Sequence, residues 1–422
     1  MGLDIHWFKD PETIKTIKES CQKRFQDPAL VDQLVDLNQQ IRPIRHQYCQ
    51  NRGKMKKNQQ EITKIKRNKE LTKEESRSLS QSFIDDNILL GQEIKKLQEQ
   101  EKDLLTQIEH LRLKVIGNLV HPDVPISNSE KNNKIIKSYQ SPDHNDQLKK
   151  DQNILPHHIL LEKIGGYSSK RGVKLIGHRG YFMTGIGVNL SMALQRYAMD
   201  FLEKKGYQPI QPPIMMNTEI MGKTAELVDF KDTLYHLDDP DSFLIATSEQ
   251  PISAYHSGEV IYRRDLPIKY AGISPCFRKE AGAHGKDTWG IFRVHQFDKV
   301  EQFILADPLE SNQILDQILA TSEEFYQSLG LSYQLVAIVS GALNNAASRK
   351  YDLEAWFPSY GEYKELVSCS NCTDYQSREL DIRLDGDGKY VHLLNGTLCA
   401  IQRTICCLLE NYQSEEGIMV PE

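Results

Sequence analysis

The chain has 422 residues, 39% apolar and 26% charged, with net charge −6: the balance of a globular protein of two or three domains at roughly 150 residues each. No run approaches the ~20 apolar residues of a membrane span, and the start MGLDIHWFKDPE lacks the basic and apolar regions of a secretory signal. His6 stands where N-myristoylation needs Ser or Thr, and eight cysteines in this length read as reduced thiols, so the expected location is cytoplasmic.

Along the chain, apolar residues first step strictly by four and three, from Leu30, Leu34, Leu37, Ile41, Ile44 and Tyr48 to Ile62 and Ile65. The rhythm returns from Phe83 to Val115, which predicts two long helices supercoiled around each other. Between them, Thr72 and Glu75 form a capping-box pattern, and so short a connection makes the helices antiparallel. At 1.5 Å per residue each extends roughly 55–60 Å, an arm over about 29–116, and Pro43 is expected to kink the first helix.

Charge is concentrated on that arm. Arg42, Arg45, Arg52, Lys54, Lys56, Lys57, Lys64, Lys66, Arg67 and Lys69 face a single acid, Glu61, so residues 42–69 carry +9 and the remainder −15. Such asymmetry suits a part that holds a polyanion. An oligomerisation coiled coil with solvated flanks has the same heptads. Against it stand the surplus of cations over available partners and the polar seam residues Asn51 and Asn58.

Residues 1–118 therefore read as an N-terminal unit. Residues 119–155, rich in Pro, Asn, Ser and Asp, read as a linker and connecting segment. In 156–422, β-like runs (334–340, 390–394) mix with helical ones (188–204, 309–329, 400–412), which predicts an α+β domain.

Three clusters there carry chemistry. In SPCFRKEAGAHGKDTWGIFRVHQFDKVEQF, Arg278 and Glu280 alternate on a presumed strand, a glycine-rich loop follows (Gly282, Gly285, Gly290), and a second strand reaches Phe297 and Glu301. Such a hairpin offers a cation for phosphate, a carboxylate for an amino group and an aromatic plate for a base, although a surface ion pair also explains Arg-x-Glu. Arg403 lies on an otherwise apolar helix, where a buried ion pair is the plainer reading. Cys369-x-x-Cys372 lacks a second pair at zinc spacing and reads as buried thiols, and Gly185-x-Gly187 as a helix entry.

Together, Arg-x-Glu with its glycine loop resembles motif 2 of class II aminoacyl-tRNA synthetases, the Gly396–Arg403 segment motif 3, and GYQPIQPPIMMN with Pro213 motif 1. TSEQPI, FRKEAGAHGKDTWGIFRVHQFDKVE, SGALNNAASRKYDLEAWFP and ELVSCSNCTDYQ resemble more narrowly the seryl-tRNA synthetases of the eukaryotic cytosolic type. Departures from the pattern are Lys286, Ala283 and His284 in the motif 2 loop and Thr397 in motif 3.

The resemblance implies a helical arm followed by a class II catalytic domain, an antiparallel sheet flanked by helices. It implies activation of L-serine with ATP and transfer to tRNA(Ser), and also to tRNA(Sec), by a homodimer formed through motif 1. ATP is expected at Arg278, Lys279, Glu280, Val294, His295, Gln296, Phe297, Glu365, Leu366, Val367, Ser368 and Arg403, with Mg²⁺ on Glu365 and Ser368. Arg278, Glu280 and Arg403 are the catalytic set. Serine is expected at Thr247, Ser248, Glu249, Arg278, Glu301, Asn395 and Thr397, and tRNA on the ten arm cations. A catalytically silent relative that binds RNA or acts as a scaffold is the alternative. Loss of Arg278, Glu280, Glu365 or Arg403 would point there, and all four are present.

Overall fold

A computed structural model describes residues 2–142, 154–224, 233–280, 288–386 and 388–421, which fall into two compact units. One comprises residues 4–19 and 27–116. The other comprises residues 1–3, 20–26 and 117–422.

The first unit is the predicted arm. Helix α1 (Pro11–Lys23) leads towards α2 (Ala29–Arg67) and α3 (Lys73–His110), which pack side by side along their length. The four-three positions Leu34, Leu37, Ile41, Asn51, Ile62, Leu90 and Ile108 are buried, so the sequence period is the packing seam. Thr72 caps α3: its hydroxyl accepts from the Glu75 amide, and the Glu75 carboxylate accepts from the Thr72 amide in return. Helix α2 continues through Pro43. The two seam asparagines are paired across it, Asn51 donating to Glu93 at 3.0 Å and Asn58 to Asp86.

The second unit is built on an eight-stranded sheet. In chain order its strands are β1 (Lys134–Tyr139), β2 (Gln208–Ile210), β3 (Ile268–Phe277), β4 (Gln296–Ala306), β5 (Tyr333–Ala337), β6 (Arg349–Phe357), β7 (Glu362–Asn371) and β8 (His392–Ala400). They lie in the order β1-β5-β6-β7-β8-β4-β3-β2, antiparallel throughout except for the β2–β3 pair. The stretch read as a linker joins this body: Val120 and Val124 are buried against Val336, Ile338 and Leu343, and β1 forms the sheet edge. Arg24, buried, donates to the carbonyls of Asn118 (2.8 Å) and Asn344 (3.2 Å).

The unit also holds helices α4 (His157–Lys163), α5 (Ser169–Ile176), α6 (Ile186–Lys204), α7 (Ser311–Ser328) and α8 (Ile401–Asn411). Gly185, φ 45°, caps α6, as its helix-entry reading expects. Helix α7 packs on β7 and β8 so closely that a Cβ on Gly396 would lie 2.3 Å from Ile318 Cγ2. The core on this face joins Ile314, Ile318 and Phe325 to Leu394, Leu398, Ile405 and Leu409. The opposite face carries a smaller apolar cluster of Phe303, Leu305 and Leu393 with Ile252 and Ile261, and polar residues at Glu301 and Thr397.

Candidate active site

Two β-bulges arrange the polar part of that face. Glu301 pairs with Thr397 and Val300 with Cys399, so Leu398 is an extra residue in β8. Likewise Glu354 pairs with Glu365 and Leu353 with Val367, which makes Leu366 extra in β7. Each extra residue inverts the period-2 alternation, and bulges recur beside active sites because they re-aim side chains. Glu365 and Ser368, three apart, thereby share a face, as do Thr397 and Ala400.

A pocket opens there, bounded by Arg278, Glu280, Phe297, Glu365 and Arg403, with Val294, Leu366, Lys299 and Thr397 also in its wall. Lys279, His295, Gln296, Val367 and Ser368 do not line it. Val367 is fully buried in the core, and His295 Nδ1 lies 3.0 Å from Arg278 O. Arg278 stands over the Phe297 ring at 5.2 Å. Arg403, in the first turn of α8, stands over Phe292 at 5.0 Å and donates to the carbonyls of Phe292 (3.3 Å) and Glu365 (3.1 Å). The expected ion pair is long, 3.9 Å to Glu365 Oε2, so Arg403 is held chiefly by carbonyls. Enclosure opposes ionisation of Glu365, but Arg403, Lys350, Arg278 and Lys299 outweigh it and hold the carboxyl below its usual range.

Arg278 and Glu280 reach the pocket by a route other than strand alternation. Strand β3 ends at Phe277, Lys279 N turns to donate to Thr233 O at 2.9 Å, and Glu280 adopts φ 51°. The Glu280 carboxylate sits 3.3 Å from Arg293 and 3.7 Å from Arg179. Gly282, Gly285, Ala283, His284 and Lys286 lie outside the described residues. Gly290 is fixed at φ 66°, where a Cβ would meet the His157 ring at 2.8 Å.

The residues assigned to serine form two groups. Glu301, 3% exposed, accepts from Thr247 Oγ1 (3.1 Å) and Thr397 Oγ1 (3.3 Å), and it is ion-paired with Lys299. Glu249 accepts from Asn395 Nδ2 at 3.0 Å, so Asn395 belongs to Glu249 rather than to Glu301. Burial, with Glu301 close by, pushes Glu249 up to about 7 against the pull of Lys299 and Arg278. Ser248 is fully buried, its Oγ without a hydrogen-bond partner among the described residues.

Hard oxygen donors gather on the same face. Asp352, opposite Ser368, is buried with Oδ1 lacking a hydrogen-bond partner among the described residues, 3.8 Å from Lys350. Among those residues no three His, Cys, Asp or Glu side chains form a metal cage. Glu365 with Ser368 nevertheless fits Mg²⁺, which takes one or two carboxylates and completes its shell with phosphate and water. Cys369 and Cys372 are buried, and Asn395 Nδ2 lies 3.6 Å from Cys372 Sγ.

Several residues here escaped the sequence reading. Lys299 was legible by alternation with Phe297 and Glu301. Arg293, 3.3 Å from Glu280, carried no local mark. The buried His157 gave no signal: its Nδ1 lies 2.9 Å from Glu410, its Nε2 lies 3.2 Å from Trp289 O, and the ring packs against Phe292. Burial opposes its charge, but hydrogen bonds with Cys406 and Glu410 prevail and hold it up to about 10.

Residues 3–120 match the family model described as the seryl-tRNA synthetase N-terminal domain, and residues 235–412 match the class II tRNA synthetase core domain (G, H, P, S and T). The chain is 47% identical to the cytoplasmic serine–tRNA ligase of Schizosaccharomyces pombe, covering 100% of this chain and 93% of that protein. It is 46% identical to the Dictyostelium discoideum counterpart, covering 100% and 92%. Two solved structures are similar: the cytoplasmic serine–tRNA ligase of Naegleria fowleri with AMP (TM-score 0.81, 41% identity, 100% and 96% covered) and the Pyrococcus horikoshii seryl-tRNA synthetase with ATP (TM-score 0.82, 35%, 99% and 96%).

Proposed function

This chain belongs to the seryl-tRNA synthetase family, and from that premise we propose that it activates L-serine with ATP and transfers serine to tRNA(Ser) and tRNA(Sec). One observation carries the reading. Arg278, Arg293 and Arg403 converge on a pocket beside the half-buried Glu249 and the buried Glu301, cations for a triphosphate next to anions for a small amino acid.

In the first step a serine carboxylate oxygen attacks the α-phosphorus of ATP, and the bond to the bridging oxygen of pyrophosphate breaks. The carboxylate is already a nucleophile, so no strong base is needed. Alignment and neutralisation of charge carry the rate. Arg278 lies between serine and the α-phosphate, where its planar fork donates to both. Phe297 stacks on adenine and Glu280 accepts from its amino group. Arg403 takes the γ-phosphate, its guanidinium oriented by the Phe292 and Glu365 carbonyls. Glu365 and Ser368 would hold Mg²⁺, which when bound would supply further charge neutralisation on the phosphates. In the second step a ribose hydroxyl at the tRNA 3′ end attacks the serine carbonyl, and AMP leaves.

Glu249 and Thr247 receive the serine ammonium, and Glu301 with Thr397 receives the hydroxyl. Alanine would leave the Glu301 acceptor unpaired, a buried penalty that an apolar pocket could not impose. The arm cations bind tRNA phosphates. Ion pairs with described residues engage only Arg45 (Glu101, 2.6 Å) and Lys64 (Glu61, 2.6 Å) among the ten.

The active form is a homodimer. Supporting this, Leu175, Ile176, Ile186 and Met192, which precede the motif 1 segment in the chain, are apolar and between 54% and 69% exposed. Sedimentation at twice the chain mass is expected, and a fully active monomer would refute it. The activity itself is tested by ATP–pyrophosphate exchange. Exchange that depends on serine and not on alanine supports the assignment, and tRNA binding without exchange would favour the silent RNA-binding alternative.

A further inference from the structure

The two flanks of the arm differ in charge. Along α2, the row beside the seam at 42, 45, 49, 52, 56, 59, 63 and 66 includes the exposed cations Arg42, Arg45, Arg52, Lys56 and Lys66 and no acid. The facing row on α3, at 84, 88, 91, 95, 98 and 102, carries Lys95 and Lys102 and no acid, and the one carboxylate paired with the α2 row is that of Glu101, with Arg45 at 2.6 Å. The carboxylates of Asp86 and Glu93 fall on the other flank, bonded to Asn58 and Asn51.

Within the cationic flank the helices part around an open groove of about 820 Å³. Gly53 and Gly91 both line it, and a Cβ on either would meet nothing within 4 Å. At one end lies Tyr48, with the Arg52 guanidinium 5.8 Å from its ring centre and donating to its hydroxyl at 3.3 Å. Asn87 Oδ1 is buried in the wall, without a hydrogen-bond partner among the described residues.

We propose that this groove receives one unstacked base of the bound tRNA, its neighbouring phosphates lying on the flanking row of cations. The inference rests on the arm being the tRNA-binding surface and adds which flank binds and how. An aromatic plate and a planar guanidinium are groups with which proteins hold single bases of RNA. Two glycines supply the slot. A paired duplex would touch only the cations, and so would an acidic peptide.

Cys49 lies on this row and is the one exposed cysteine of the eight, so its alkylation reports the flank directly in the full-length protein. A serine tRNA transcript is expected to protect Cys49. Gly91→Leu fills the slot with a strong helix former, so circular dichroism should show the arm intact. The variant should bind the transcript at least tenfold more weakly, while binding a fully paired RNA duplex as the parent does. Gly91→Ala should fall between. Protection of Cys49 with undiminished transcript binding by Gly91→Leu overturns the base slot and leaves the tRNA-binding arm standing. An equal loss on the duplex also overturns the slot. No protection of Cys49 overturns the choice of flank, and if neutralising Arg42, Arg45, Arg52, Lys56 and Lys66 also leaves tRNA affinity unchanged, the arm reading falls with it.

Discussion

The arm and the body both bury an apolar face, but they treat charge in opposite ways. On α2 the cations are exposed, spaced along some 40 Å of helix and mostly without carboxylate partners. In the body, Lys299, Glu365 and Arg403 line one pocket with Arg278 and Glu280, and the buried Glu301 is ion-paired with Lys299. Exposed charges act together on a polyanion, over distance, and are screened by salt. Buried charges act one contact at a time, and each has a defined partner to lose. The same residue types therefore provide general affinity in one region and chemical discrimination in the other, and perturbations should separate them.

The largest effect should come from the body. Glu301→Ala is expected to lower kcat/KM for serine by orders of magnitude while the KM for ATP moves little. Steady-state exchange with serine and with alanine should show the preference for serine collapsing, since an unpaired acceptor of this kind is worth roughly 10⁴–10⁵ in selectivity. Retained selectivity would show that the Lys299 contact is the whole role of Glu301.

On the arm, loss should be graded and salt-dependent. Replacing Arg42, Arg45, Arg52, Lys56 and Lys66 by Gln should weaken tRNA binding and flatten the slope of log K against log salt by about 0.7–0.9 for each phosphate contact removed. Serine activation should be untouched. An unchanged slope would mean that these cations do not meet phosphate.

Glu249 sharpens the contrast through pH. With its carboxyl raised to about 7 by burial and Glu301, it is largely protonated below that pH and loses attraction for the serine ammonium. As pH rises through about 7, kcat/KM for serine should rise with it, and Glu249→Gln should flatten the profile at a low level. Lys299 and Arg278 face the same carboxylate and pull its pKa the other way. The smallest effect is expected at Thr72→Ala, about 1 kcal/mol in the melting of the arm, through loss of the α3 cap.

What the sequence made legible follows the same division. The arm could be read almost residue by residue, because a heptad seam is one-dimensional and its period survives into the structure. The helices and strands of the body were legible as segments, but the pocket was not. Whether Glu365 and Ser368 share a face depends on a bulge at Leu366, and whether Thr397 meets Glu301 depends on one at Leu398. Neither bulge has a glycine or other local mark. Arg278 and Glu280 do line the pocket, but not by the strand alternation that singled them out, since that strand ends at Phe277. The serine set came from resemblance, because Thr247, Glu301 and Thr397 are far apart in sequence: the sheet register brings Thr397 to Glu301, and the turn before the Glu249–Ser253 helix brings Thr247. His157 and Val120 were silent for the same reason: burial is a property of what packs against them.

The central claim is that activation belongs to the body and tRNA docking to the arm. Deleting residues 29–116 tests it most directly, and the joint is short, since Gly117 N already lies 3.4 Å from the Gln26 side chain within the body. Serine-dependent pyrophosphate exchange and tRNA charging should then be measured side by side. The account predicts exchange close to that of the parent with charging lost. Equal loss of both would contradict it and make the arm part of the fold.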